Sequence, residues 1–269
     1  GDPVIVKLGY DDRLLTEFEG YLMRIDTDGN NLTFNCEDGI YLTRKAIPPK
    51  VFTNCKVSDV AAYCMKHIGF TLNCTFKTKG HYYDQFVISP NDTVYNVLHK
   101  IQESTSANIY MKGHELNIHP AYIEKGGNVR YDFSKNIESA DLQYRKKEDR
   151  PVEVTVSSVG ADGKKRSVTI GQSGGDTIKR DIKTPMTEEA MKKHAENILN
   201  YSSFDGYEGS ITGWLIPFVE PTYSAHIYDE EYEFKSGSYY VVSVTTTFSE
   251  NGGVRKIELG IKLTDNGQI

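Results

Sequence analysis

The chain has 269 residues, of which 38 % are hydrophobic and 25 % charged, with a formal net charge of -6 and a pI near 5.7. With a mean hydropathy of -0.48, this composition excludes collagen-like, disordered and disulfide-scaffold classes. No stretch approaches the ~18 consecutive apolar residues of a membrane-spanning helix, and the first residues do not read as a secretory leader. The acidic balance argues against a protein that coats itself in nucleic acid. Eighteen Tyr against one Trp, with 23 Gly, lean toward β structure with many turns.

In chain order, Val4, Val6 and Leu8 alternate with Ile5 and Lys7 and predict a strand. It begins abruptly: Gly1 reads as a cloning remnant, and strands that would pair with it are expected to be missing. Further strands are expected at 18–25 and 32–36, joined by a hairpin turn at Asp28-Gly29-Asn30, where Gly and Asn tolerate positive φ. After Pro48-Pro49 the composition changes. Val57, Val60, Ala61, Cys64 and Ile68 form one apolar stripe of a helix stopped by Gly69. Val94, Val97, Leu98 and Ile101 form a second, with Asp92 or Thr93 as N-cap. Each helix precedes β patterns, at 70–76 and then at 108–111 and 115–118, the last two turning at Lys112-Gly113.

From about Tyr131 the pattern is β again. Val152, Val154 and Val156 alternate with Glu153 and Thr155, and Asp162-Gly163 turns the chain into 167–170. Thr187 caps a helix, with Met186 and Met191 as a hydrophobic staple and Met191, Ala195, Ile198 and Leu199 as its stripe. A hairpin closes the chain. Tyr240, Val242, Val244 and Phe248 share one parity, Ile257, Leu259, Ile261 and Leu263 another, and the turn lies at Glu250-Asn251-Gly252-Gly253. Its one apolar face predicts a half-solvated antiparallel sheet or barrel wall.

The sequence carries no convergent catalytic set. Cys36, Cys55, Cys64 and Cys74 form no C-x-x-C and read as reduced thiols, with a Cys55–Cys74 or Cys64–Cys74 bridge as the lesser alternative. Gly171-Gln172-Ser173-Gly174-Gly175 has the letters of a nucleophile elbow. A nucleophile elbow joins a strand directly to a helix, whereas 176–184 reads as extended, so a flexible loop is expected. That loop also lacks the Lys-Ser/Thr ending of a phosphate cradle. His114/His119 and His81/Asp84 are fragments of a metal set without a third ligand, and His67, His99, His194 and His226 read as surface or packing residues. Glu37-Asp38 and Asp229-Glu230-Glu231 are acid runs expected at turns. Arg145-Lys146-Lys147 and Lys164-Lys165-Arg166 are basic runs balanced by Glu148, Asp149 and Asp162. No catalytic, cofactor-binding or metal-binding residue is assigned, and no cofactor is expected.

Three segments together resemble the baseplate hub proteins of contractile phage tails and tail-like particles, the group that includes the late control proteins and the central spike protein of type VI secretion. The first runs Gly1-Asp2-Pro3-Val4-Ile5-Val6-Lys7-Leu8-Gly9-Tyr10 to Phe18-Glu19-Gly20-Tyr21-Leu22, similar to a GD-x-V-x-V strand followed by F-x-G-x-I, with Leu22 in place of the Ile. The second is Ile88-Ser89-Pro90-Asn91-Asp92-Thr93-Val94 opening the helix at 94–103. The third comprises Gly213-Trp214-Leu215-Ile216-Pro217-Phe218, then Gly237-Ser238-Tyr239-Tyr240-Val241-Val242, then Gly252-Gly253-Val254-Arg255-Lys256-Ile257-Glu258-Leu259-Gly260, similar to a G-x-Y-x-V strand and a GG-x-R partner.

The resemblance implies a mainly β chain with an α/β insert (α+β), in which small antiparallel tube-like β-barrels accompany a helix–strand domain. The expected divisions are 1–50 as part of a first barrel lacking its opening strands, 51–125 as a small α/β domain, and 126–269 as a second barrel with one packed helix at about 187–201. It implies a non-enzymatic structural protein of the virion baseplate, assembled in the bacterial host cytoplasm. There it would form a homotrimeric ring joining the tail tube to the spike, with no membrane partner. DNA would pass the channel without specific binding, since like charge prevents sticking. No cell-wall-degrading module is expected. The strands around Val4–Leu8, Val152–Val156, Tyr240–Phe248 and Ile257–Leu263 are expected to carry assembly. An alternative is a carbohydrate or cell-surface binding module, which predicts rings exposed in a groove, such as Tyr82, Tyr83 and Tyr207. A third reading is a hydrolase using Ser173 or an acid pair.

Overall fold

The computed structural model describes residues 1–75, 82–122, 126–160 and 162–263, without the side chains of Tyr82 and Tyr201. His81 and the end of the β pattern expected at 70–76 lie outside the described residues. In chain order the elements are β1 (Pro3–Tyr10), β2 (Arg13–Asp28), β3 (Asn31–Glu37), β4 (Lys50–Lys56), α1 (Val57–Ile68), β5 (Thr71–Cys74), β6 (Tyr82–Ile88), α2 (Val94–Thr105), β7 (Ala107–Lys112), β8 (Glu115–Pro120), β9 (Asn128–Asp132), β10 (Ser139–Arg145), β11 (Val152–Val159), β12 (Lys165–Gly171), β13 (Asp176–Ile182), α3 (Glu188–Ser202), β14 (Gly206–Trp214), β15 (Ser224–Tyr228), β16 (Gly237–Ser249) and β17 (Gly252–Lys262). The chain is mainly β with helix–strand elements, the class the sequence implies.

Two compact units divide it. The first holds Gly1–Pro120, Thr155–Ile170 and Lys179–Glu196; the second holds Ala121–Val154, Gly171–Ile178 and Asn197–Ile269. In the first unit α1 and α2 bury the expected stripes. Val57, Val60, Ala61 and Cys64 from α1 meet Val94, Val97, Leu98 and Ile101 from α2 in one core with Phe86, Leu116 and Ile118, while Ile68 is half-buried. Local chemistry fixes the helix ends. Thr93 Oγ1 accepts from Asn96 N while Asn96 Oδ1 accepts from Thr93 N, a reciprocal cap. Gly69 ends α1 in the left-handed region at φ +76, as its position predicts. Around these helices lie a β5-β8-β7 sheet, with β5 parallel to β8, and a β4-β6 pair. The β1-β2-β3 meander turns at Gly29, whose φ of +59 suits the expected hairpin.

The second unit is built on a six-stranded sheet ordered β10-β14-β17-β16-β15-β9. Its buried face carries Tyr131, Ile211, Ile227, Tyr239, Val241, Ile257 and Leu259. The tube-like barrels that the resemblance implies do not appear: no sheet closes among the described residues. The six-stranded sheet keeps β10 and β9 as separate edges, with β9 joined in parallel to β15 alone. The meander has three strands, too few to curl onto itself.

The closing hairpin departs from simple alternation. Its register shifts between Tyr239 and Val241 and shifts back between Val241 and Ser243. The pairs Tyr239–Lys262, Val241–Leu259 and Ser243–Glu258 leave one extra residue on β17 near Gly260 and one on β16 at Val242. Each bulge turns the following side chains to the other face. Ile261 and Leu263 therefore leave the face of Ile257 and Leu259 and pack with Tyr240, Tyr122 and Phe204 on the opposite side. Val242, expected on the apolar face, is largely exposed.

Candidate assembly surface

The residues weighed for chemistry do not converge. Ser173 lies in an exposed bend between two strands, with α3 beginning only at Glu188, so no elbow forms. Among the described residues no group of three or more His, Cys, Asp or Glu is placed to hold a metal. His114 stacks edge-on against Phe70, while His119 is buried with Nδ1 by its neighbour's carbonyl, Pro120 O, at 2.9 Å. His67 Nε2 is 2.9 Å from Ala46 O, His99 faces Glu103, His226 faces Ser238 and His194 is buried on α3. Asp84 lies on β6, and its proposed companion His81 is outside the described residues. All four cysteines are free. Burial pushes the Cys64 thiol up to about 12, which keeps it protonated and unreactive.

The charged runs have structural partners. Glu37 takes two hydrogen bonds from Arg44, and Asp38 caps a short 3-10 turn by accepting from Ile40 N. Arg145 donates to Ser202 O, Lys146 faces Glu148, Lys165 faces Asp181 and Arg166 faces Asp162. Two of the three tyrosines expected in a sugar binder's groove, Tyr83 and Tyr207, are buried. Tyr83 is buried with its hydroxyl 2.6 Å from Ser104 Oγ, and Tyr207 is buried donating to Asp229 Oδ2 at 2.5 Å. The Tyr82 side chain is outside the described residues. Asp229 also accepts from the backbone N–H of Glu231 and Tyr232. Desolvation opposes its charge, but these hydrogen bonds and the nearby Lys235 hold its carboxyl below the usual range.

Of the strands expected to carry assembly, β11, β16 and β17 each lie between two neighbours in their sheets, although β15 pairs with β16 only over Gly237–Tyr240. The meander differs. Val6 pairs with Phe18 and Lys7 with Thr16, which leaves Glu17 as an extra residue on β2. Leu22 pairs with Cys36 and Arg24 with Asn35, which leaves Met23 as a second. Strict alternation would put Leu15 and Ile25 on the face opposite Phe18 and Leu22. The two bulges bring all four to one face, with Val4, Val6, Leu8 and Tyr10 from β1 and Leu32, Phe34 and Cys36 from β3. The opposite face carries Lys7, Thr16, Glu19, Arg24, Asp26, Thr33 and Asn35 together with exposed Ile5 and Leu14, and there Tyr21 stacks on Tyr41.

This apolar face is open. Val6, Tyr10, Leu15, Ile25, Leu32 and Phe34 are between 39 % and 61 % exposed. By their size these side chains offer on the order of 600 Å² of apolar surface, at the upper end of what a monomer leaves uncovered and approaching the ~800 Å² per partner of a stable interface. Sequence reading missed its members on β2 and β3 because the bulges hide the shared face.

The second unit has an apolar feature of its own. Trp214 faces Val254 across β14 and β17, and Phe248 faces Gly253 across β16 and β17. Leu215 packs on Gly253, where an added Cβ would come within 2.6 Å of its Cδ1. Ile216 follows and forms a cis bond to Pro217. Arg255, from the GG-x-R segment, holds this turn. It is fully buried, with Nη1 donating to Leu215 O at 2.5 Å and to Pro217 O at 2.9 Å, and its guanidinium lies 5.2 Å from the Phe218 ring centre. Tyr131 lies against it in the same core, its hydroxyl pushed up to about 12 by burial.

No known family model matches the sequence, and no curated protein does. Solved structures do match in fold. The 43 kDa tail protein of prophage MuSo2 from Shewanella oneidensis superposes with a TM-score of 0.63 at 15 % identity, over 96 % of this chain and 84 % of that one. A tail protein from Neisseria meningitidis gives 0.62 at 15 % identity, over 91 % and 80 %. The E. coli c3393 protein, a component of the type VI secretion system, gives 0.58 at 9 % identity, over 97 % and 64 %. At such identities the fold is what is shared. Along nearly its whole length, this chain has the fold of phage tail proteins, a fold also present in a type VI secretion component.

Proposed function

We propose that the protein is a non-enzymatic structural component of a tail baseplate, in a phage virion or tail-like particle, that acts as its hub. Three copies form a ring between tail tube and spike, contacting tube, spike and other baseplate proteins. DNA passes the ring without specific contacts. The carrying observation is the match in fold to a prophage tail protein over 96 % of this chain. The uncovered apolar face of the β1-β2-β3 sheet supports it, because exposed apolar faces of that size commonly mark a protein–protein contact. A second copy is the simplest partner, since most soluble assemblies are symmetric homo-oligomers. The net charge of -6 suits a conduit for DNA. The test is light scattering on a sizing column. A mass near three times 30.3 kDa supports the ring; a monomer or dimer at high concentration counts against it. Phe34→Glu, at an exposed position on the face, is expected to dissociate the trimer without unfolding it.

A further inference from the structure

We infer that the basic face of the β12-β11-β13 sheet on one copy receives the acidic, aromatic segment Asp229–Phe234 of the next copy. The inference rests on the ring reading above and names one contact of that ring. In a closed ring of three, every contact is heterologous: a patch on one copy meets a different patch on its neighbour. Two such patches must be complementary, and these two are opposite in charge.

The basic face gathers residues from three strands. β11 lies between β12 and β13. Across it, Lys165 Nζ on β12 reaches Asp181 Oδ1 on β13 at 2.8 Å, and Ser157 Oγ on β11 donates to the same carboxylate. These three side chains therefore share one face, and Lys179, two residues before Asp181, shares it too. Beside them Arg166 pairs with Asp162 at 2.8 Å. With those two carboxylates occupied, Lys164, Lys179, Arg180 and Lys183 have no carboxylate partner among the described residues, and all are exposed.

The segment between β15 and β16 is the matching anion. Residues 229–234 hold Asp229, Glu230, Glu231 and Glu233 and no Lys or Arg. Asp229 pins the loop from below: its Oδ1 accepts from Glu231 N at 3.1 Å and from Tyr232 N at 2.9 Å, and its Oδ2 accepts from Tyr207. Tyr239 fixes the far end by donating to Lys235 O at 3.1 Å, and Lys235 Nζ lies 3.8 Å from the centre of the Tyr232 ring. Glu230 and Glu233 are exposed and have no cation partner among the described residues. Tyr232 and Phe234 are exposed beside them. A loop already held in place loses little entropy on docking. Its rings suit Lys and Arg as its carboxylates do, because a cation is attracted to an aromatic face. The other acid run, Glu37-Asp38, is taken by Arg44 and by the Ile40 N–H. A phosphate backbone would also satisfy the cations, but the net charge of -6 repels a polyanion from the chain as a whole.

Charge exchange in the full chain tests this. Lys164→Glu/Lys179→Glu reverses the face at two cations that hold no ion pair, and Glu230→Lys/Glu233→Lys reverses the segment. All of these positions are exposed, and circular dichroism checks that each protein folds. Light scattering is run at the lowest concentration that keeps the wild type trimeric. Each double variant is expected to run there as a monomer, with the contact weakened on the order of tenfold or more for each charge reversed. The variant carrying both pairs of changes restores opposite charges with the signs exchanged. It is expected to regain a mass near three times 30.3 kDa. Double variants that stay trimeric while the wild type is trimeric overturn the inference and leave the ring standing. So does a combined variant that stays monomeric. If Lys164→Glu/Lys179→Glu keeps the wild-type mass but no longer retards a DNA duplex that the wild type retards in a gel, the face is a nucleic-acid contact and the inference is overturned. A wild type that is monomeric throughout overturns the ring, and the inference with it.

Discussion

Arg255 tests whether a buried cation can hold a fold together through carbonyl oxygens. Its side chain has no exposure to water, and Nη1 makes two short bonds to Leu215 O and Pro217 O. Hydrogen bonds involving a charged group contribute about 1.5–3 kcal/mol each, and a buried carbonyl left without a donor costs about 1–3 kcal/mol. Arg255→Ala removes both bonds and opens a cavity, so a loss of about 3–5 kcal/mol is expected. Taking a charge out of the interior relieves its desolvation, which works in the opposite direction. Arg255→Met separates the two effects, because it keeps most of the volume and discards the donors. A loss of about 2–4 kcal/mol is expected for it. Lys at this site keeps the charge but not the planar fork, and should fall between wild type and Met. The assay is urea unfolding followed by tryptophan fluorescence. Trp214 is the single tryptophan and adjoins Leu215, so the signal reports this turn in a chain of two units where a global transition need not be two-state. An Arg255→Met protein as stable as wild type, or more stable, would refute the reasoning: relief of desolvation would then outweigh the hydrogen bonds.

Two further predictions follow from the second unit. Asp229 has a carboxyl held below its ordinary value, so its contribution to stability is present above the unfolded pKa of roughly 3.9 and is lost as pH falls through the lower folded value. Asp229→Asn should lower stability at pH 7 by about 1–3 kcal/mol and flatten the acid limb between about pH 5 and 3 in thermal melts; an unchanged acid limb would show that other carboxylates govern it. Gly209 sits at φ +125 on β14, where an added Cβ would approach Asp141 O at 2.1 Å. Gly209→Ala should detach β10 from β14, seen as faster amide exchange across 139–145 than in wild type, and equal exchange would contradict the clash.

Much of the local structure was legible in the residues. The stripes of α1 and α2 follow a period of 3.6, and their stop and start signals, Gly69 and Thr93, act within one turn. Gly29 turns the first hairpin, and Met186 and Met191 are both buried at the start of α3, where the staple was expected. The absence of an elbow at Ser173 was equally readable, because the polar 176–184 segment excludes an immediate helix. These are short-range effects, so sequence spacing captures them.

The candidate surface was not legible in the same way. Alternation gives the face of a side chain only while the ladder is regular, and one extra residue reverses every position beyond it. On β2 the extra residues Glu17 and Met23 gather Leu15, Phe18, Leu22 and Ile25 on one face, and in the last hairpin the bulges near Gly260 and at Val242 send Ile261 and Leu263 away from Ile257. Where a bulge falls depends on which strand pairs with which and in what register, and that is settled across the sheet. The burial of Tyr83 and Tyr207 depends likewise on Ser104 and Asp229, residues 21 and 22 positions away. Sequence by itself determined the mainly β class, the helices and the turns. The tertiary structure alone decided which apolar side chains stand together and remain uncovered, because that is a property of pairing between distant segments.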